Sequence, residues 1–266
     1  LGQFNLSNIK FTNNTRIKEI RNIDYTGSGN QTFSGCTNLK TITCKTGGKL
    51  KLTGALNQTF RNCSSLVNLP AEIDLSDSTS SSEAFGGCKL ITMETAKMIM
   101  DSVKNTGLNS GTHWRFFSGC SNIQGQLPSD FFANASSLSG LDYFFAGTGI
   151  NGSLPNGLLQ PMGANLKNLN RTFSGLNITG SIPASFFRNL VGVTNIDGIF
   201  NGCTGLTGTI PEELFKDMAN LECAYGVFYN CRGLYGKIPS DLFSYNYKIR
   251  YCNDALHNCF GLVGNI

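Results

Sequence analysis

Charge is scarce in this chain. Asp, Glu, Lys and Arg together make 14% of the 266 residues, well below the usual quarter. The net charge of +4 is scattered, with no basic run and no aromatic-basic motif, which argues against a nucleic-acid partner. There are two histidines, His113 and His257, and a single tryptophan, Trp114. No apolar stretch approaches the roughly 18 residues that a spanning helix requires. No C-x-x-C pair exists, so zinc is not expected. Gly-rich spots such as Gly27-Ser-Gly29 lack the Lys or helix that follows a phosphate loop. The chain opens at Leu1 with neither Met nor a signal peptide, and reads as mature or trimmed.

What is plentiful is Asn, Ser, Thr and Gly, a composition that suits an extracellular or surface protein with many turns. A second abundance is a recurring Phe-x-x-Cys. Its aromatic slot is held by Phe33, Phe60, Phe85, Phe117, Phe145, Phe173, Phe200, Phe228 and finally Leu256. The intervals are 27, 25, 32, 28, 28, 27, 28 and 28 residues. Self-similarity at such a period marks a solenoid. Two ordinary domains would fit the length, but in a repeat array each coil contacts only its neighbours and one core runs throughout. The expected fold is an α/β solenoid with one parallel strand per coil of about 28 residues. Short helices or turns should line its convex side.

Three residues after each aromatic stands Cys36, Cys63, Cys88, Cys120, Thr148, Leu176, Cys203, Cys231 or Cys259. A slot that accepts Cys, Thr or Leu asks for a small or apolar buried side chain, and free Cys packs as a small hydrophobe. The seven cysteines are therefore expected as a buried column of unpaired thiols. Bridging between adjacent coils is the alternative.

From residue 117 onward the unit lengthens to include Gly-x-[IL]-Pro and an apolar pair. Leu206-Thr-Gly208-Thr-Ile210-Pro211 is one instance. The stretch Pro211-Glu-Glu-Leu-Phe-Lys-Asp-Met218 reads as a short helix, with Pro in its first turn and acids near its N-terminus. The strand either precedes the Phe, as in 220–228, or follows the Cys, as in 39–44; the sequence leaves both open. Residues 1 to about 32 show no clear repeat and are expected to form an N-terminal cap. The solenoid then occupies 33–266 in about nine coils. A helical insertion at about 92–105 is capped by Thr92 and shows one apolar face of Met93, Ala96, Ile99, Met100 and Val103, with Gly107 to end it. The chain stops inside a repeat, so it is expected to continue beyond Ile266 or to pair through a raw end.

Thr32-Phe33-Ser-Gly-Cys36-Thr-Asn-Leu39-Lys-Thr-Ile42, Thr59-Phe60-Arg-Asn-Cys63-Ser-Ser-Leu66-Val-Asn-Leu69-Pro70 and Ala84-Phe85-Gly-Gly-Cys88 resemble the A-F-x-x-C-x-x-L-x-x-I-x-I-P unit of BspA-type leucine-rich repeat proteins of bacterial surfaces. The resemblance covers residues 30 to 266. The later units depart from it, and their L-x-G-x-I-P is similar to plant-type leucine-rich repeats. The resemblance implies a leucine-rich repeat superhelix, secreted or surface-anchored, that binds proteins and often serves adhesion. It carries over no catalytic residues.

Chemistry is otherwise sparse. His257 precedes Asn258-Cys259, but Cys259 occupies the buried slot, whereas catalysis needs an accessible thiolate. Asp74 and Asp77 lie in a Ser-rich loop, and the other acids are scattered. Nine N-x-[ST] sequons, at Asn5, Asn13, Asn30, Asn57, Asn62, Asn134, Asn151, Asn170 and Asn177, are what an Asn-rich repeat generates by chance. Two patches stand out. Tyr225, Tyr229, Tyr235, Tyr245, Tyr247 and Tyr251, six of the eight tyrosines, fall in the last two coils beside Arg232, Lys237, Lys248 and Arg250. Tyr and Arg are enriched at interface hot spots; tyrosines filling half-exposed sheet positions would look the same. The second patch is His113-Trp114-Arg115, which could equally pack against the helical insertion. The sequence thus points to a non-enzymatic surface protein that binds a protein or glycan, without cofactor or metal. A structural spacer is the competing class, and a polysaccharide-active enzyme a distant one.

Overall fold

The computed structural model describes residues 10–109 and 113–264. The start of the expected cap, the sequon at Asn5 and the raw end at Ile266 lie outside the described residues. The chain winds as a parallel β-solenoid of about ten turns. The slot phenylalanines stack along its axis: Phe33 on Phe60 at 5.0 Å, Phe60 on Phe85 at 5.0 Å, Phe173 on Phe200 at 6.0 Å, Phe200 on Phe228 at 5.9 Å. Each buries a large apolar area, about 1.5–3 kcal/mol apiece, and offset aromatic pairs add roughly 0.5–1.5 kcal/mol. That column runs through the core beside stacked buried leucines and isoleucines such as Leu141, Leu169 and Ile196.

Both candidate strand segments form ladders. Ahead of the phenylalanine, β2 (Tyr25–Ser28) pairs in parallel with β4 (Leu50–Thr53), and β4 with β5 (Ile73–Asp74). Single bridges continue that side as Gly140, Asn168, Asn195, Cys223 and Tyr251. After the cysteine, β1 (Glu19–Ile23) pairs with β3 (Thr41–Cys44). Further along the same side, β6 (Gln124–Gly125), β7 (Gly149–Gly152) and β8 (Asn177–Ile178) follow in order. On it too, β9 (Tyr235–Lys237) pairs with β10 (Gly261–Val263). The Phe-x-x-Cys stretch between the two ladders is a turn that also bonds coil to coil, as when Phe33 N–H donates to the Thr59 carbonyl at 2.8 Å.

Three sequence expectations need correction. Residues 10–31 already belong to the repeat. Phe11 stacks on Phe33 at 5.6 Å, and β1 and β2 pair with the following coil; Asn14 standing at the Cys slot hides this unit. The post-proline stretch at 212–217 is a turn rather than a helix. Glu213 has φ of 53°, outside the helical well, and the bonds there span three residues, Lys216 N–H to Glu213 and Met218 N–H to Phe215. Finally, α1 (Met93–Asp101) starts at the Thr92 cap, whose side chain accepts from Thr95 N–H, but stops four residues early. Lys104 and Asn105 turn left-handed, with φ of 54° and 60°.

All seven column cysteines are free and buried. Each thiol donates to the carbonyl of the slot phenylalanine one coil earlier, from Cys36 to Phe11 at 3.0 Å through Cys259 to Phe228 at 3.0 Å. The slot therefore wants a polarizable donor as well as a small side chain. Thr148 instead turns its hydroxyl to Phe145 of its own coil.

Candidate functional site

Positions can be counted from the slot phenylalanine. Four residues ahead, the side chain enters the core: Leu56, Leu141, Leu169, Ile196 and Ala224 are buried there. Three and two residues ahead, side chains face outward. The residue two ahead is left-handed in every described coil from Gln31 on, including Arg115, Tyr143 and Arg171 with φ of 55°, 51° and 51°. That backbone lays consecutive side chains over one another along the axis. Gln31 donates to Gln58 at 3.3 Å, and Gln58 to Glu83 at 3.1 Å.

The next three members form a cation–π stack. The Arg115 guanidinium lies 4.3 Å from the Trp114 ring and 5.3 Å from the Tyr143 ring, and the Arg171 guanidinium lies 5.8 Å from Tyr143. Tyr143 thus has an arginine from the coil before and another from the coil after. Gly198, next in line, leaves room for the Arg171 stem; a Cβ there would come within 3.2 Å of it. Among the described residues the arginines paired with carboxylates are Arg21 and Arg61, so neither guanidinium of the stack is held by an ion pair. Beside the stack, Asp142 and Asp197 have carboxyls raised above the ordinary range, in both cases chiefly by burial. Asp197 nonetheless accepts from Tyr225 N–H at 2.8 Å.

Five buried side-chain polar atoms lack a partner among the described residues; Arg115 Nε and Asn170 Oδ1 belong to this face, and His113 Nε2 lies in the core directly beneath it. Native interiors leave few such atoms, so a cluster of them marks an unusual place. On the far side of the turn, Gly87, Gly119, Gly147, Gly175 and Gly202 stand one above another with φ between 72° and 76°. A Cβ on Gly119, Gly147 or Gly202 would meet only the backbone of the glycine one coil earlier, whereas the Asn62 side chain reaches Gly87.

The tyrosine patch read from the sequence divides into three groups. Tyr225, Tyr229 and Tyr251 share the side of the stack. Tyr225 donates to Asp254 at 3.0 Å, Tyr229 stacks on His257 at 4.9 Å, and Tyr251 bridges to Cys223. Trp114 occupies the same outward position as Tyr225, four coils earlier, and is 37% exposed. Tyr235 sits on the other ladder, in β9, with Arg232 exposed at the turn before it. Tyr245, Tyr247 and Lys248 lie on the post-proline turn, where Tyr245 donates to Glu213 at 3.3 Å and Lys248 to Asn220 at 2.6 Å. Sequence reasoning missed Tyr143 and Arg171 entirely. Aligning the repeats on their phenylalanines and reading the position two ahead would have found them.

Other chemistry is thin. His257 and Cys259 have separate partners, Tyr229 and the Phe228 carbonyl. A cavity of about 430 Å³ lies between α1 and Ala71 and Ile73, but Lys97 and Lys104 on its wall are already paired with Asp101 and Asp74. Among the described residues no group of three His, Cys, Asp or Glu could hold a metal ion, and no helix is long and apolar enough to cross a membrane.

No protein-family model and no curated protein matches the chain. The solved structures similar to it are leucine-rich repeat proteins. A leucine-rich cell-surface protein from Faecalibacterium prausnitzii A2-165 is 17% identical; the match covers 92% of this chain and 77% of that one, with a TM-score of 0.37. The plant peptide hormone receptor RGFR1, solved in complex with RGF2, is 20% identical over 83% of this chain, with a TM-score of 0.34. The leucine-rich repeat ectodomain of GASSHO1/SCHENGEN3 from Arabidopsis thaliana is 15% identical over 88%, with a TM-score of 0.32. The chain spans 41% and 38% of the lengths of those two receptors.

Proposed function

We propose that the chain is a non-enzymatic binding protein of a cell surface or secretion, adhesin-like in the BspA manner, whose partner is a protein docking ahead of the phenylalanine turn. The observation that carries this is the stack of Trp114, Arg115, Tyr143 and Arg171. Trp, Tyr and Arg supply most interface hot spots, and a guanidinium already stacked loses little freedom on binding. A sugar ring needs an open aromatic face. Tyr143 is approached by guanidiniums from the coils on both sides, which favours a protein over a glycan. Tyr225, Tyr229 and Tyr251 extend the proposed surface. Tyr235, Tyr245, Tyr247, Lys248 and Arg232 fall outside it.

The test is binding of the chain to a panel of extracellular-matrix proteins and to a glycan array at pH 7.5. Saturable binding to a protein is expected. It should weaken at least about tenfold in the Arg115→Ala/Arg171→Ala double variant, which corresponds to about 1.4 kcal/mol. Tyr235→Ala should bind as the parent does. Equal binding by parent and double variant, or capture of glycans alone, overturns the proposal.

A further inference from the structure

We infer that His113 is an acid-sensitive latch inside the coil that presents Trp114 and Arg115, so that acidification loosens the proposed binding face; the inference rests on the functional reading above.

His113 stands four residues ahead of Phe117, at the core position that neighbouring coils fill with Leu56, Leu141, Leu169, Ile196 or Ala224. The coil before it carries Ser81 there, and both residues are 0% exposed. The Ser81 hydroxyl and His113 Nδ1 lie 3.2 Å apart, while Nε2 has no hydrogen-bond partner among the described residues. One polar pair has thus replaced two hydrocarbons in an apolar column. A neutral ring meets the hydroxyl at Nδ1 and leaves only one uncharged nitrogen without a partner. An imidazolium carries two N–H donors and a charge; Ser81 can meet one donor and the Leu108 backbone approaches the ring, but the charge stays in an apolar core.

Among the described residues no charge faces the ring to stabilise that cation. Ser81 adjoins it from the coil before and Leu141 holds the same core position in the coil after. Leu108, from the stretch following α1, approaches through its backbone. The nearest charged residues in sequence and register, Glu83, Arg115 and Asp142, sit at outward positions, and Glu83 is engaged by Gln58 and Arg61. Burial pushes the imidazole down to about 4, with the Leu108 backbone pulling the other way. The folded value lies below the ordinary 6.5, so the folded state binds fewer protons than the unfolded one. The stabilisation is complete above about pH 6.5 and is lost as the pH falls toward 4.

The backbone links the latch to the face. The Trp114 carbonyl accepts from Glu83 N–H at 2.8 Å, and Arg115 N–H donates to the Asp142 carbonyl at 2.8 Å. A ring forced out of the core breaks the register that holds Arg115 against Tyr143.

The experiment is amide exchange of the free protein and of His113→Leu at pH 7.5 and 5.0, each corrected for intrinsic rates. In the parent, protection of 81–87 and 113–117 should fall about 25-fold between the two pH values, from the titration range above. His113→Leu, which carries the residue neighbouring coils use, should lose that dependence. Unchanged protection in the parent, or the same fall in the variant, overturns the latch. If the variant does not fold, the emission of Trp114, the only tryptophan, gives a second readout. Its transition should fall between pH 4 and 6.5, and a midpoint below 4 overturns the inference. No partner is present in either measurement, so failure of the latch and failure of the binding proposal are separately visible.

Discussion

The Cys203 thiol donates to the carbonyl oxygen of Phe173, one coil earlier, at 3.1 Å. The same carbonyl accepts Leu176 N–H at 3.2 Å, so it serves two donors from two coils. Burial pushes the Cys203 and Cys120 thiols up to about 12 and Cys36 to about 11, where a thiolate is negligible near neutrality. Native protein should therefore react with a thiol reagent at Cys252, the exposed cysteine, and then slowly at half-buried Cys44 and Cys223. The seven column thiols should stay silent until denaturant is added. Fast modification of most of the ten, counted by mass, would contradict the buried column.

Truncation of the aromatic column should be costly. Phe60 is fully buried and stacked at 5.0 Å on both neighbours, and Phe60→Ala should cost about 3–5 kcal/mol in denaturant unfolding. Because coils contact only their neighbours, exchange should accelerate first in the adjoining coils. Uniform acceleration along the chain would contradict that picture.

Gly107 has no room for a side chain: a Cβ would collide with the Leu75 carbonyl. Gly107→Ala should destabilise by about 3 kcal/mol or more, at the high end of single substitutions. A variant as stable as the parent in thermal unfolding would show that the stretch after α1 yields easily.

Arg115→Ala should strip one face of Trp114. A red shift of its emission is expected, with a stability loss of about 0.5–2 kcal/mol for the lost cation–π contact. Unchanged emission would mean the guanidinium does not rest on the indole in solution.

A second acid window should lie below that of His113. Burial alone would raise Asp74, but hydrogen bonds from Ser76 and Lys104 outweigh it and hold the carboxyl down to about 2. Its contribution to stability is complete above the ordinary value of 3.8 and drains away as the pH falls toward 2. Denaturation midpoints of parent and Asp74→Asn should converge across that window. A constant difference between them would contradict the assignment.

The column was legible because buried apolar residues at a fixed interval leave a strong trace. Phe11 escaped notice for lack of a cysteine at Asn14. The strands were ambiguous because both flanks of the motif pair, each over only two to five residues. The turn at Glu213 was misread as helix because a left-handed non-glycine residue has no plain signature in composition. The Arg115–Tyr143–Arg171 stack was hidden by distance: its members stand 28 residues apart and meet only when the repeats are aligned on their phenylalanines.

The spacing between phenylalanines varies from 25 to 32 residues, yet across the longest interval the rings of Phe85 and Phe117 still meet, tilted at 5.7 Å. The outer surface is therefore a raster, with one row per coil, about 4.8 Å apart, and one column per position in the turn. An outward residue outside the side-chain ladders, such as Gln31–Gln58–Glu83 and Arg115–Tyr143–Arg171, can be rewritten while the aromatic beneath stays in place. Such a lattice lets a lineage redraw its surface pixel by pixel while the scaffold stands still.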